Sequence, residues 1–165
     1  GFEPVFKNAT YWSTEKHWEW ATVPNPREKA SFLKENIMPI QESGQLKFID
    51  RVGDFTKDVF NNIDVLFVDG HTESMMIPHI HYKDKTLVFM ADLLPSVGHV
   101  PIPYVMGYDT RPLITLSEKE KFLNTAANEN LILFLEHDSV NECATVTNTE
   151  KGVRLDKTFN FSEMF

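Results

Sequence analysis

Val65-Leu66-Phe67-Val68-Asp69-Gly70-His71-Thr72 is the stretch from which the rest of the chain is best read. Its apolar half is rich in β-branched and aromatic side chains, the composition of a buried strand. The run stops at an Asp-Gly turn signal and hands over to an imidazole. The same event recurs downstream. Leu87-Val88-Phe89-Met90-Ala91 ends at Asp92, and Leu131-Ile132-Leu133-Phe134-Leu135 ends at Glu136-His137-Asp138. Buried strands that end in His and Asp bring those groups together at one edge of a sheet, where open α/β sheets place their ligands. His71, Asp92 and His137, in that order, point to a metal site.

With 165 residues and 42% hydrophobic content, the chain can bury one sizeable core, so a single domain over 1–165 is expected. No apolar run reaches the length of a membrane span. The net charge of −8, with no long Lys/Arg cluster, argues against a broad phosphate-binding face and so against a nucleic-acid partner. Cys143 is the only cysteine, which excludes an intrachain disulfide and a Cys-rich zinc module, and makes a reducing, cytoplasmic compartment the expectation. Any metal must then sit on His and carboxylate. The start Gly1-Phe2-Glu3-Pro4 has no Met, so a piece of a longer chain is expected.

Along the chain, Ala9–Trp12 reads as a short strand, followed by Ser13 or Thr14 as cap of a helix over 15–21. Trp18 is its expected buried anchor, and His17 a partly exposed helix residue. Asn25-Pro26-Arg27-Glu28 reads as a capping box with Pro in the first turn. Ala30, Leu33, Ile37 and Ile40 continue it as an amphipathic helix that frays around Pro39 and closes at Glu42-Ser43-Gly44. Strand candidates follow at Leu46–Ile49 and Val59–Phe60, with a Gly53-Asp54 turn between them.

Met75–Tyr82 and Thr86–Met90 flank Lys83-Asp84-Lys85 as a hairpin. His79 and His81 alternate on one strand face and could chelate a metal. The preferred reading puts them on the solvent side, with Ile80 and Tyr82 inward, at the end remote from Asp92. The Pro-rich stretch from Leu93 to Pro112 holds His99, Tyr104, Tyr108 and Asp109. An irregular segment of this length is a candidate pocket wall, with a purely structural connection as the alternative. Ser117-Glu118-Lys119-Glu120 reads as a second capping box, opening a helix that buries Phe122, Leu123, Ala126 and Ala127. That helix sits between the Asp92 and His137 strands, which predicts a βαβ unit with those strands parallel. Ala144–Thr147 and Val153–Leu155, around Glu150-Lys151-Gly152, form a final hairpin.

Taken together, Gly70-His71-Thr72, Ala91-Asp92 and Glu136-His137-Asp138 resemble the later metal motifs of the metallo-β-lactamase fold. Ala91-Asp92-Leu93-Leu94-Pro95-Ser96 and the run Tyr104 through Pro112 agree. They resemble a bacterial branch of metal-dependent hydrolases related to lactonase-like and organophosphate hydrolase-like members, over nearly the whole chain. The resemblance implies an α/β fold, a four-layer αββα sandwich with a mixed sheet flanked by helices. It also implies two divalent metal ions, Zn first and Fe or Mn as alternatives. His71 would bind one ion, Asp92 would bridge both, and His137 would bind the other. A hydroxide between the ions would attack an ester, lactone or similar small-molecule electrophile. Asp92, Tyr108 and His99 form the candidate catalytic set.

Two departures accompany the likeness. The family follows Gly-His-Thr with a Gly-containing turn, whereas Glu73-Ser74-Met75-Met76 stands here. The upstream His-x-His-x-Asp-His motif is absent, so the resemblance is to the C-terminal half of such a protein, with the N-terminal half as an expected partner and a homodimer as a further one. Asp69 and Asp138 are candidates either to orient an imidazole or to sit solvated at strand ends. The competing reading of the whole chain is a non-catalytic αββα fragment or binding module without metal.

Overall fold

In the computed structural model, residues 1–164 are described, and two compact units are distinguished, one over 1–52 and one from 53 onward. The first contains β1 (Tyr11–Ser13), α1 (Glu15–Thr22), α2 (Lys34–Glu42) and β2 (Leu46–Phe48), with β1 and β2 parallel. Thr14 caps α1 by accepting from the His17 N–H. Ala21, not Trp18, is the buried residue of α1. Trp18 is half-buried because its indole N–H reaches out to Gln41.

The second helix starts later than the Asn25 box predicts. Asn25 does accept from the Arg27 and Glu28 N–H groups, and its amide donates to Glu28. The Glu28 carboxylate is also claimed by the Trp20 indole, 2.7 Å away, and the box closes turns over 26–32 instead of a helix. α2 begins at Lys34 and runs through Pro39 to Glu42 without breaking there.

The second unit is a seven-stranded mixed sheet in simple sequence order, β3 to β9. Its strands are β3 (Phe55–Phe60), β4 (Ile63–Val68), β5 (Met75–Tyr82), β6 (Lys85–Phe89), β7 (Ile132–Phe134), β8 (Cys143–Thr149) and β9 (Gly152–Phe159). Every neighbouring pair is antiparallel except β6 and β7, which run parallel through α3 (Pro112–Glu129) as the βαβ reading requires. Thr115, Lys119, Phe122, Leu123 and Ala126 form the buried stripe of α3. The core that includes Phe122, Leu123 and Ala126 gathers Val68, Met75, Ile77, Val88 and Met90 from β4 to β6 and the Met90 turn. Among the described residues, no helix is long and apolar enough to cross a membrane.

α3 opens at Pro112, which has the backbone angle a first helical residue needs. Ser117–Glu120 therefore lies inside the helix and caps nothing. The hairpin β5–β6 forms as expected, but its facing is reversed. Met75, Ile77 and His79 point inward, while Ile80 is 36% and Tyr82 47% exposed. The strand carries apolar residues on both parities, so alternation alone does not choose a face. The packing of Met75 and Ile77 in the α3 core chooses it, and His79 follows their parity.

Candidate metal centre

His71 is held by its backbone before its ring does anything. Glu118, half-buried on α3 next to Lys119, accepts from the N–H groups of Asp69 at 2.7 Å and Gly70 at 3.0 Å. The Gly70 carbonyl accepts from Arg111 N–H at 2.9 Å, and the His71 carbonyl from Thr110 N–H at 3.1 Å. A Cβ on Gly70 would sit 2.3 Å from the Thr115 nitrogen and hydroxyl, so only glycine lets this turn lie against α3. After it, Ser74 has φ +53° with its N–H on Asp69 Oδ1 at 2.9 Å. Ser74 thus takes the left-handed conformation for which glycine is the usual residue, and Asp69 ties that turn together.

The His71 ring is fixed at both nitrogens. Nδ1 lies 3.0 Å from Asp109 Oδ1, and the Asp109 side chain is fully buried. Nε2 lies 3.4 Å from Asp92 Oδ2. Asp92 follows β6 in a 3-10 turn over Ala91–Leu93, entered through Ala91 at φ +42°. Such a conformation is costly for a residue with a side chain, and this one lies directly before the central carboxylate. The other Asp92 oxygen, Oδ1, lies 3.2 Å from His137 Nε2. The three strand-end residues of the sequence reading therefore meet, with one Asp92 oxygen turned to each imidazole.

Glu136 joins them, and the strand-end pattern gave it no role. Its Oε1 lies 3.4 Å from His137 Nε2, and donor atoms of Asp92, Glu136 and His137 all fall within 4.8 Å of one another. Burial and the Asp92 charge push the Glu136 carboxyl above its ordinary pKa, with His137 and His71 pulling the other way. This donor set fits a divalent cation. Two atoms bound to one tetrahedral ion at about 2.1 Å stand about 3.4 Å apart, matching the separations around Asp92 and His137. Asp138 does not orient an imidazole. Burial alone would raise its pKa, but N–H donors from Asn141, Val97 and Val140 outweigh this and lower it, tying the Pro-rich segment to the end of β7.

That segment is ordered, with Leu93, Leu94 and Val100 buried in the core and a second 3-10 turn at Val97–His99. Lys119 organises it. Its buried ammonium donates to the carbonyls of His99 at 2.9 Å, Pro101 at 3.2 Å, and Tyr104. Burial pushes Lys119 down to about 8, opposed by the Asp109 charge. His99 is half-buried with Nδ1 on Ser96 Oγ at 2.9 Å, and burial and the Lys119 charge lower its pKa. Tyr108 is 78% exposed.

His79 and His81 belong elsewhere. His81 lies 2.8 Å from Asp64 and 3.0 Å from Thr86 at an exposed edge. Both histidines line a 410 Å³ cavity together with Leu66, Phe122 and Leu131, and none of His71, Asp92 and His137 borders it.

No family model matches the chain, and no curated protein does. Solved structures do. One is a probable metal-dependent hydrolase from Staphylococcus aureus, 20% identical, with a TM-score of 0.79 over 96% of this chain and 56% of that one. A second is the hydrolase AbOPH of the β-lactamase superfamily, 17% identical, with a TM-score of 0.75 over 94% of this chain and 57% of that one. A third is AidC, a dizinc quorum-quenching lactonase in complex with a product, N-hexanoyl-L-homoserine. It is 20% identical, with a TM-score of 0.70 over 96% of this chain and 58% of that one. At these identities the shared property is the fold: an α/β structure with a mixed sheet, matching the C-terminal half of a metallo-β-lactamase neighbour. The chain spans a little over half the length of these structures.

Proposed function

We propose that this chain is the C-terminal part of a cytoplasmic metal-dependent hydrolase that opens an ester, lactone or similar small electrophile. His71, Asp92 and His137 are its share of a two-metal site. The observation that carries the reading is Asp92, whose Oδ2 and Oδ1 stand 3.4 Å and 3.2 Å from imidazole nitrogens on two different strand ends. A carboxylate so placed can serve two cations at once. Bound divalent ions, Zn first and Fe or Mn next, would supply an acidified water and polarise the substrate carbonyl.

The chain's own groups do the rest. Asp109 orients His71, Glu118 holds the turn that presents it, and Lys119 holds the segment carrying His99. Tyr108 and His99 are the donors proposed for the substrate oxygen, each worth roughly 3 kcal/mol of barrier if it acts as an oxyanion-type partner. The remaining ligands would come from an upstream half. A half-buried apolar face supports this: Ile80 pairs with Leu87 and Phe89 with Phe134 across adjacent strands, and Phe89 stacks on Phe134. Such a face suits burial against another sheet or a second copy.

The test compares this chain with a longer form that adds an upstream His-x-His-x-Asp-His segment. Metal per chain, oligomeric state, and lactonase and esterase turnover are measured on both. The longer form is expected to hold two ions and turn over substrate, and the short one to be inactive. In the longer form, Tyr108→Phe and His99→Ala should lower turnover without changing metal content. An inactive, metal-free longer form would favour the competing reading of a non-catalytic module.

A further inference from the structure

We infer that Glu136 is itself a metal ligand, so that Asp92, Glu136 and His137 hold one divalent cation with no donor from outside this chain. The inference rests on the metal-dependent reading above and adds to it a ligand that the strand-end pattern did not assign.

The backbone explains why two adjacent residues can serve one ion. In a strand, neighbouring side chains leave from opposite faces. β7 ends at Phe134, and the chain bends at Glu136 and His137, so the alternation no longer applies there. His137 Nε2 becomes the hub, 3.4 Å from Glu136 Oε1 and 3.2 Å from Asp92 Oδ1. Both separations are those of donors sharing a tetrahedral ion, about 3.4 Å. His71 meets the other Asp92 oxygen, Oδ2, and lies outside this three-donor group.

Three protein donors and an open side match the composition of a reactive metal site. The cluster is open to solvent on the His137 side, whose side chain is 57% exposed. With two carboxylates and one imidazole, the donors are harder than a histidine-rich set. Mn²⁺ and Fe²⁺ should therefore compete with Zn²⁺ better here than at an all-imidazole site.

The experiment is calorimetric titration of the 165-residue chain with Zn²⁺, Mn²⁺ and Co²⁺, with the visible absorption of the Co²⁺ form as a second readout. Circular dichroism checks the fold of each variant. The wild-type chain should bind one cation. Glu136→Gln should weaken binding by about 100-fold or more, beyond the roughly 10- to 100-fold effect of a group that only orients a ligand, and should shift the Co²⁺ bands. Glu136→Asp, which keeps the charge but retracts it, should also move the bands. His71→Ala should keep one equivalent. Wild-type affinity and unmoved Co²⁺ bands in Glu136→Gln, or in Glu136→Asp, would overturn the inference alone. Loss of the bound equivalent in His71→Ala would overturn it too. A wild-type chain that binds no cation would overturn this inference and leave the two-metal reading, which draws further ligands from an upstream half, to its own test on the longer form.

Discussion

Asp109 Oδ1 lies 3.0 Å from His71 Nδ1, and that one contact decides which nitrogen of the ring is free for chemistry. A buried carboxylate keeps the proton on Nδ1 and leaves the Nε2 lone pair facing Asp92. In the longer form, where His71 is proposed to serve the second ion, Asp109→Ala is therefore expected to weaken binding of that ion by about 10- to 100-fold. Asp109→Asn, which keeps an acceptor but not the charge, should fall between the two. Titration calorimetry on the three proteins checks the order, and equal affinities would deny Asp109 its orienting part.

Gly70 is the second lever on His71. A methyl group there would meet the Thr115 backbone nitrogen and hydroxyl at 2.3 Å, and backbone cannot step aside as a flexible side chain can. Gly70→Ala should push the β4 turn off α3 and loosen the Glu118 bonds to Asp69 and Gly70. A loss of about 3 kcal/mol is expected, at the high end for single substitutions. Gly70→Ala with Thr115→Gly should recover little of it, because the residue-115 nitrogen at 2.3 Å and Cα at 2.5 Å remain in the way. Urea unfolding of both proteins gives the comparison.

Lys119 ties three carbonyls of the Pro-rich segment to α3. Lys119→Met keeps the stem but leaves those carbonyls without their donor, at a cost of about 2 kcal/mol. The local consequence is more telling than the global one. Amide exchange should speed up over residues 99–104 and stay unchanged in β7 and β8. Uniform acceleration would mean that Lys119 supports the core and not the segment.

The sheet strands were readable wherever apolar runs ended in turn residues, as at Asp69-Gly70 and Asp92, and the βαβ unit followed from the helix between them. The convergence of His71, Asp92 and His137 was readable for the same reason, since each stands at a strand end on one edge of the sheet. Side-chain facing in β5 was not, because Met75-Met76-Ile77-Pro78 is apolar on both parities. Asp109, Glu118 and Lys119 were equally hidden. Their work is done on backbone atoms or rings that are near only in space, and as letters they are ordinary polar residues of a loop and a helix. The Asn25 box illustrates the converse. Its local hydrogen bonds formed as read, yet Trp20 claimed the same carboxylate and the helix began only at Lys34.

His79 carries a pH dependence that its sequence position concealed. The ring is buried, edge-on to Phe55 at 5.2 Å and Phe122 at 6.1 Å, and burial lowers its pKa to about 4. Asp64 pulls this value up and His81 pushes it down, so the neighbouring pair moderates the effect without cancelling it. In the unfolded chain, histidine titrates near 6.5. Between about 6.5 and 4 the unfolded state holds a proton that the folded state refuses, so stability falls as pH drops through that window and levels off below it. Discounted for partial solvent screening, the loss amounts to about 2 kcal/mol. Burial would raise the Asp64 pKa, but the Asp58 N–H at 2.8 Å and the His81 ring outweigh it and lower it, so the Asp64 stabilisation is lost only at more acid pH, as its carboxylate protonates. His79→Phe fills the same space between aromatic neighbours and removes the titrating group. Denaturant midpoints measured from pH 7 to pH 4 should fall clearly for the wild type and much less for His79→Phe, because the Asp64 contribution is lost only below the ordinary Asp pKa of about 3.9. Parallel curves for the two proteins would show that His79 takes up its proton within the folded state and that the acid sensitivity lies elsewhere.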